Sequence, residues 1–321
     1  MSTNRDLPRL LVALMKGLAI VVVVVAVVFF LPTPSDYLAA FADKEKMLED
    51  APTPRAILIG GSSMAFGVDS SVVSDELRMT AINTGLHAGV GIAFMVEHVR
   101  PFVRKGDVVV LVPEYAILSA SGVVDDGVVA STLLSAPASL RYIQADDWGP
   151  LLRGFPDFAL HRTIVDPASA LAKSANLRNV YTYTRRGFDA RGDEVGHLRE
   201  PKPGLTFTMT FDPNVAVQIG RLNRFAADMA QRGATTVFLY PAVPRGVIQA
   251  NRADVEAYDR AVRAAITFPI SGTPEEAAVD DGAFFDTAYH LDGEGRAANT
   301  ARIVRQLQSL LRVTEPPGGG H

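Results

Sequence analysis

Ala56-Ile57-Leu58-Ile59-Gly60-Gly61-Ser62-Ser63-Met64-Ala65-Phe66-Gly67 decides how the chain is read. Its first four residues are apolar, mostly branched and followed by glycines, which predicts a buried strand rather than a helix. The strand runs into small residues and two hydroxyls. Such an ending can present a hydroxyl at the carboxyl edge of a parallel sheet, where open α/β sheets place their sites. The plainer alternative is that Gly60-Gly61-Ser62-Ser63 is only a loop, because short motifs match by chance.

Outward from this stretch the same alternation recurs. Met79 to Thr84 predicts a second strand, Val108 to Val112 a third and Thr236 to Tyr240 a fourth. Between them lie helical segments: one capped at Asp69-Ser70-Ser71 and running through Arg78, and one carrying Phe94, Val96 and Val99. Others run from Asn214 to Arg232 and from Arg252 to Ile266. Strands separated by helices predict βαβ units and a parallel sheet. Right-handed crossovers then bring the loops after Ile59, Ile82 and Val112 to one edge. Residues 120–210 are looser, with helical pieces at 128–134 and 168–176 and a charged stretch at 185–193. An insertion over the carboxyl edge suits a lid or specificity region.

A second informative stretch is Phe284-Phe285-Asp286-Thr287-Ala288-Tyr289-His290-Leu291-Asp292, which leads into a last helix reaching Arg312. A carboxylate just before a histidine can fix the imidazole tautomer and support it as a base. Taken alone, the pair reads equally as a surface acid and a structural histidine.

Together the two stretches resemble the SGNH (GDSL-like) hydrolases and acyltransferases, from about Arg55 to Leu311 without the insertion. Gly61-Ser62-Ser63-Met64-Ala65-Phe66-Gly67 matches the family's Gly-Asp-Ser-x-x-x-Gly block, with Ser62 in place of its Asp and Ser63 on the nucleophile. Asn83 to Gly89 resembles the second block, whose glycine amide binds the oxyanion; Ala88 or Gly89 would supply it here. Asp286 and His290 match the closing block, one residue further apart than the usual Asp-x-x-His. The third block's Gly-x-Asn-Asp is replaced by Val112-Pro113-Glu114-Tyr115. The combination is most similar to the membrane-anchored branch that includes alginate O-acetylation and teichoic-acid D-alanylation proteins.

Leu10 to Leu31 carries one charge, Lys16, and is long enough for a transmembrane helix. A signal peptide is the rival reading, but Ala40-Phe41-Ala42 lies far beyond the apolar run. Arg5, Arg9 and Lys16 precede a gap in basic residues up to Lys44, which puts the amino terminus in the cytoplasm. Pro32 and Pro34 stop the span. The expected organisation is a cytoplasmic tail (1–9), an anchor (10–31), a juxtamembrane helix capped by Ser35 with a linker (32–54), and an SGNH-like three-layer α/β/α domain with a parallel sheet (55–313). A disordered tail (314–321) follows.

The net charge of -4 offers no basic face for nucleic acid. No cysteine is present, which excludes disulfides and thiolate chemistry. No histidine pair has zinc spacing, so neither a metal nor a cofactor is expected.

What the resemblance implies is an extracytoplasmic serine acyltransferase acting on a cell-surface or secreted polysaccharide, with an acyl group carried on Ser63. Ser63, Asp286 and His290 would form the triad, the amides of Ser63 and Ala88 or Gly89 would face the oxyanion, and Asn83, His87, Glu114 and Tyr115 could meet substrate. A multi-spanning membrane acyltransferase would be the partner. An esterase of the same fold, and an inactive anchored scaffold, are the alternatives.

Overall fold

The computed structural model describes residues 6–30, 37–120, 122, 124–145, 148–160, 163, 182–203 and 209–314. Helix α1 (Asp6–Phe30) leads, followed by a 3-10 turn (Tyr37–Ala39) and α2 (Ala40–Asp50). Then come β1 (Arg55–Ile59), α3 (Ser62–Gly67), α4 (Ser70–Leu77), β2 (Thr80–Asn83), α5 (Gly91–Val99) and β3 (Val108–Leu111). The insertion holds α6 (Asp126–Ser135) and α7 (Trp148–Leu160). The chain continues through α8 (Ala216–Gln231), β4 (Thr235–Leu239), β5 (Val243–Pro244), α9 (Arg245–Ala250) and α10 (Arg252–Ala265). It closes with β6 (Ile270–Ser271), β7 (Ala278–Val279) and α11 (Gly293–Thr314).

Five parallel strands form one sheet in the order β2-β1-β3-β4-β6. Ile57 sits opposite Ile82 on one side and Val109 on the other. Because side chains alternate across a strand, each strand feeds two separate cores. Ala56, Leu58, Val108, Val110, Val237 and Leu239 pack with Val73 of α4 and with Ile303 and Leu307 of α11. Ile57, Ile59, Val109, Leu111 and Phe238 pack with Phe94 of α5, Leu222 and Phe225 of α8 and Val255 of α10. Helices thus cover both faces, and both strand faces are apolar for that reason. The two-residue β6 and the small β5–β7 pair were not expected, since runs this short carry no periodicity.

The predicted start of α4 is sound: Asp69 accepts from the Ser71 and Val72 amides, capping the first turn. The juxtamembrane segment differs from expectation. Ser35 lies outside the described residues, and the helix is built into the domain rather than lying apart from it. Tyr37, Leu38, Phe41 and Leu48 are buried in the larger core. Fully buried Lys44 donates to the carbonyls of Asn83 (2.9 Å) and Gly192 (2.6 Å). The predicted helix at 168–176 and the tail from 315 onward lie outside the described residues.

Within α1, Pro8–Val27 is long and apolar enough to cross a membrane. At 1.5 Å per residue the whole helix extends about 37 Å, more than a bilayer's hydrocarbon core.

Candidate active site

The site is assembled where β1, β2 and β3 end. After β1 the chain turns through Gly60 and Gly61 into α3. A Cβ at position 61 would lie 2.7 Å from the Ala88 amide nitrogen and 2.4 Å from Glu114 Oε1. Only glycine allows three loops to close this tightly. Ser63 therefore sits in the first turn of α3, buried between the loop after β2 and the loop after β3.

Glu114 occupies the ends of that turn. Its Oε1 accepts from the Ser63 amide at 2.9 Å and its Oε2 from the Gly61 amide at 3.1 Å. Burial pushes the carboxyl's pKa up, and the Ser63 and Gly61 amides pull the other way. The Ser63 amide, expected to face an oxyanion, is thus taken by a carboxylate. Buried Ser63 Oγ makes no well-aligned hydrogen bond, its near polar neighbour being the Glu114 carboxyl.

Asp286 Oδ1 lies 2.7 Å from His290 Nδ1. The extra residue in their spacing does not separate them, because the segment folds back on itself. Phe284 and Leu291 form an antiparallel bridge, and Phe285 donates to the His290 carbonyl at 2.7 Å. Thr287 Oγ1 accepts from the amides of Tyr289 and His290, each at 3.1 Å. Burial raises the Asp286 pKa, but hydrogen bonds with His290 and Tyr183 outweigh it and hold the carboxyl below its ordinary range.

The two distant stretches meet through Phe66. It lies three residues after Ser63 on α3, and its ring stacks on His290 with centroids 4.0 Å apart and planes 9° apart. Tyr115 donates its amide to Tyr289 Oη at 3.1 Å, tying the loop after β3 to the same segment. The structure brings Ser63 and His290 to one edge without forming a hydrogen bond between the hydroxyl and the imidazole.

The remaining candidates divide. Asn83 is wholly buried and its amide group is used up, donating to Met64 O and Asp193 Oδ1 and accepting from Gly85. Tyr115 turns inward against Phe211 (4.8 Å) and Tyr258 (5.0 Å). Both side chains serve the fold and present nothing to a substrate. The Gly89 amide donates to His87 Nδ1 at 3.0 Å, so the loop itself uses it, whereas the Ala88 backbone stands against Gly61. That bond requires an unprotonated Nδ1 on His87; burial lowers this group's pKa, with Asp125 opposing and His290 adding to the effect.

Three contributors were not anticipated. Phe66 was read only as part of a motif. Tyr183, from the insertion, donates its phenol to Asp286 Oδ2 and lies 3.0 Å from His290 Nδ1. Buried His197 bonds Glu194 through Nδ1 at 2.6 Å and the Leu291 carbonyl through Nε2 at 2.9 Å, behind Phe66. The Glu194-x-x-His197 spacing carried a signal for this pair; nothing local marks Tyr183. Among the described residues, no group of three or more His, Asp or Glu side chains is arranged to hold a metal ion.

In chemical terms, the edge offers a buried hydroxyl, an acid-oriented imidazole and closely packed backbone amides. No protein-family model matches the chain, and no curated protein matches its sequence.

Proposed function

We propose that the chain is a membrane-anchored serine acyltransferase of SGNH-like type, acting outside the cytoplasm on a polysaccharide. The observation that carries this reading is the Asp286–His290 pair, 2.7 Å apart and stacked through Phe66 on the helix that bears Ser63. The apolar α1 supports the anchor.

In this mechanism His290 Nε2 takes the Ser63 hydroxyl proton as Oγ attacks the donor's acyl carbon. The tetrahedral intermediate collapses, the acyl–donor bond breaks, and His290 returns the proton to the departing group. An acceptor hydroxyl then gives its proton to His290 and attacks acyl-Ser63. Collapse of the second intermediate releases the new ester, and the proton goes back to Ser63 Oγ. Asp286 stabilises the imidazolium in both halves. The Ala88 amide beside Gly61 is the backbone donor for the oxyanion, joined by the Ser63 amide once Glu114 leaves it; one such donor is worth about 3 kcal/mol. Water in place of the acceptor would make the protein an esterase.

An inactive anchored scaffold is the second reading, favoured by the carboxylate on the Ser63 amide and the missing Ser63–His290 bond. A fluorophosphonate probe separates the two. Labelling lost in Ser63→Ala and in His290→Gln supports the enzyme; a folded protein that never reacts supports the scaffold. Acyl-ester turnover with and without a carbohydrate acceptor then divides transfer from hydrolysis.

A further inference from the structure

We propose that Tyr183, a residue of the insertion, is a positioning residue that holds and tunes the Asp286–His290 pair; this rests on the acyl-transfer reading above. Its phenol donates its one proton to Asp286 Oδ2, so the oxygen faces His290 Nδ1, 3.0 Å away, as an acceptor. The phenol therefore touches both members of the pair. Burial, and then Asp286 itself, raise the phenol's pKa, so it remains a donor at working pH.

Two further features mark the placement. Tyr183 has φ of 58°, the left-handed region that residues with a Cβ avoid. Such a conformation survives where surrounding contacts impose it, and these cluster at functional sites. Its ring, half-exposed, packs against Phe66 (5.6 Å) and Tyr37 (5.8 Å), and Tyr37 donates to the Leu86 carbonyl of the loop after β2. One side chain thus joins the insertion, the segment after α1 and the candidate base.

Sharing Asp286 with Tyr183 dilutes the negative charge that His290 feels. Removing the hydroxyl takes away both the donor to Asp286 and the acceptor facing His290 Nδ1. Among the described residues, the other titratable groups facing the pair include Tyr37, His87 from the loop after β2 and His197 from the insertion, with Glu194 and Glu200 near Tyr183. Tyr183→Phe leaves these and the ring packing in place.

The test compares the full chain and Tyr183→Phe in detergent, reading the His290 pKa by NMR and the rate of Ser63 phosphonylation against pH. The His290 signal is assigned by its loss in His290→Gln. We expect the His290 titration to move when the hydroxyl is lost, and phosphonylation at neutral pH to slow by about tenfold. A melting temperature that falls while pKa and rate profile stay at wild-type values overturns the proposal. If the pKa moves but Ser63 never reacts, Tyr183 positions the pair and the acyl-transfer reading fails. If Ser63 reacts and neither quantity moves, the reverse holds.

Discussion

The Ser63 amide donates to Glu114 Oε1 at 2.9 Å, so a residue from the loop after β3 covers the backbone donor beside the Ser63 hydroxyl. The carboxylate is acceptor-only, and two amides converge on it. An oxyanion on Ser63 has to displace it. Glu114→Gln keeps the shape but gives up the charge and sets an amide NH2 against one of the two N–H groups. We expect a loss of about 1–3 kcal/mol in urea unfolding together with faster phosphonylation of Ser63. Slower labelling in a folded variant would mean that the carboxylate props the nucleophile instead of covering its donor.

Ser63→Ala should abolish labelling without weakening the fold. The hydroxyl is buried and forms no well-aligned hydrogen bond, with the Glu114 carboxyl as its polar neighbour, so its removal gives up little. Stability should stay level or rise by up to about 1 kcal/mol. A loss greater than about 2 kcal/mol would show that Oγ is bonded in solution.

Arg55 and Asp107 form an ion pair with both side chains fully buried, closed further by Arg55 donating to Leu48 and Phe102 carbonyls. Removing one partner strands a buried charge. Asp107→Ala should cost about 3–5 kcal/mol in chemical denaturation. An effect below about 1 kcal/mol would refute the buried pairing.

Burial pushes the Lys44 ammonium down to about 7, with Asp193 and Asp189 opposing. Above that pH the folded chain holds a neutral amine, whose two hydrogens match the carbonyls of Asn83 and Gly192. The unfolded chain keeps the proton until the ordinary lysine range. Unfolding then takes up a proton, so stability from this group rises with pH from about 7 upward, by at most about 1.4 kcal/mol per unit. Below that pH both states are charged and the contribution is flat. Melting curves from pH 7 to 9.5 should climb more steeply for wild type than for Lys44→Met; parallel curves would remove the assignment.

Because the chain has no cysteine, single replacements report its topology cleanly. Ser2→Cys lies before α1, and Ala253→Cys is exposed on α10. In intact cells an impermeant maleimide should label the second and reach the first only after lysis. The opposite pattern would reverse the orientation.

The parallel sheet could be read from residues alone, because its strands are short branched runs such as Val108–Leu111, apolar on both faces and spaced by helices. The same holds for the apolar α1, and for the strand-to-turn junction that carries Ser63. Local pattern reports burial and period, and these features depend on nothing else. What a side chain touches in a distant part of the chain leaves no local trace. Only the tertiary structure could place Glu114 on the Ser63 amide, turn Tyr115 and Asn83 into the fold, or bring Tyr183 from the insertion onto Asp286. It also decided that the helix after α1 belongs to the core, since the burial of Phe41 and Leu48 depends on partners far along the chain.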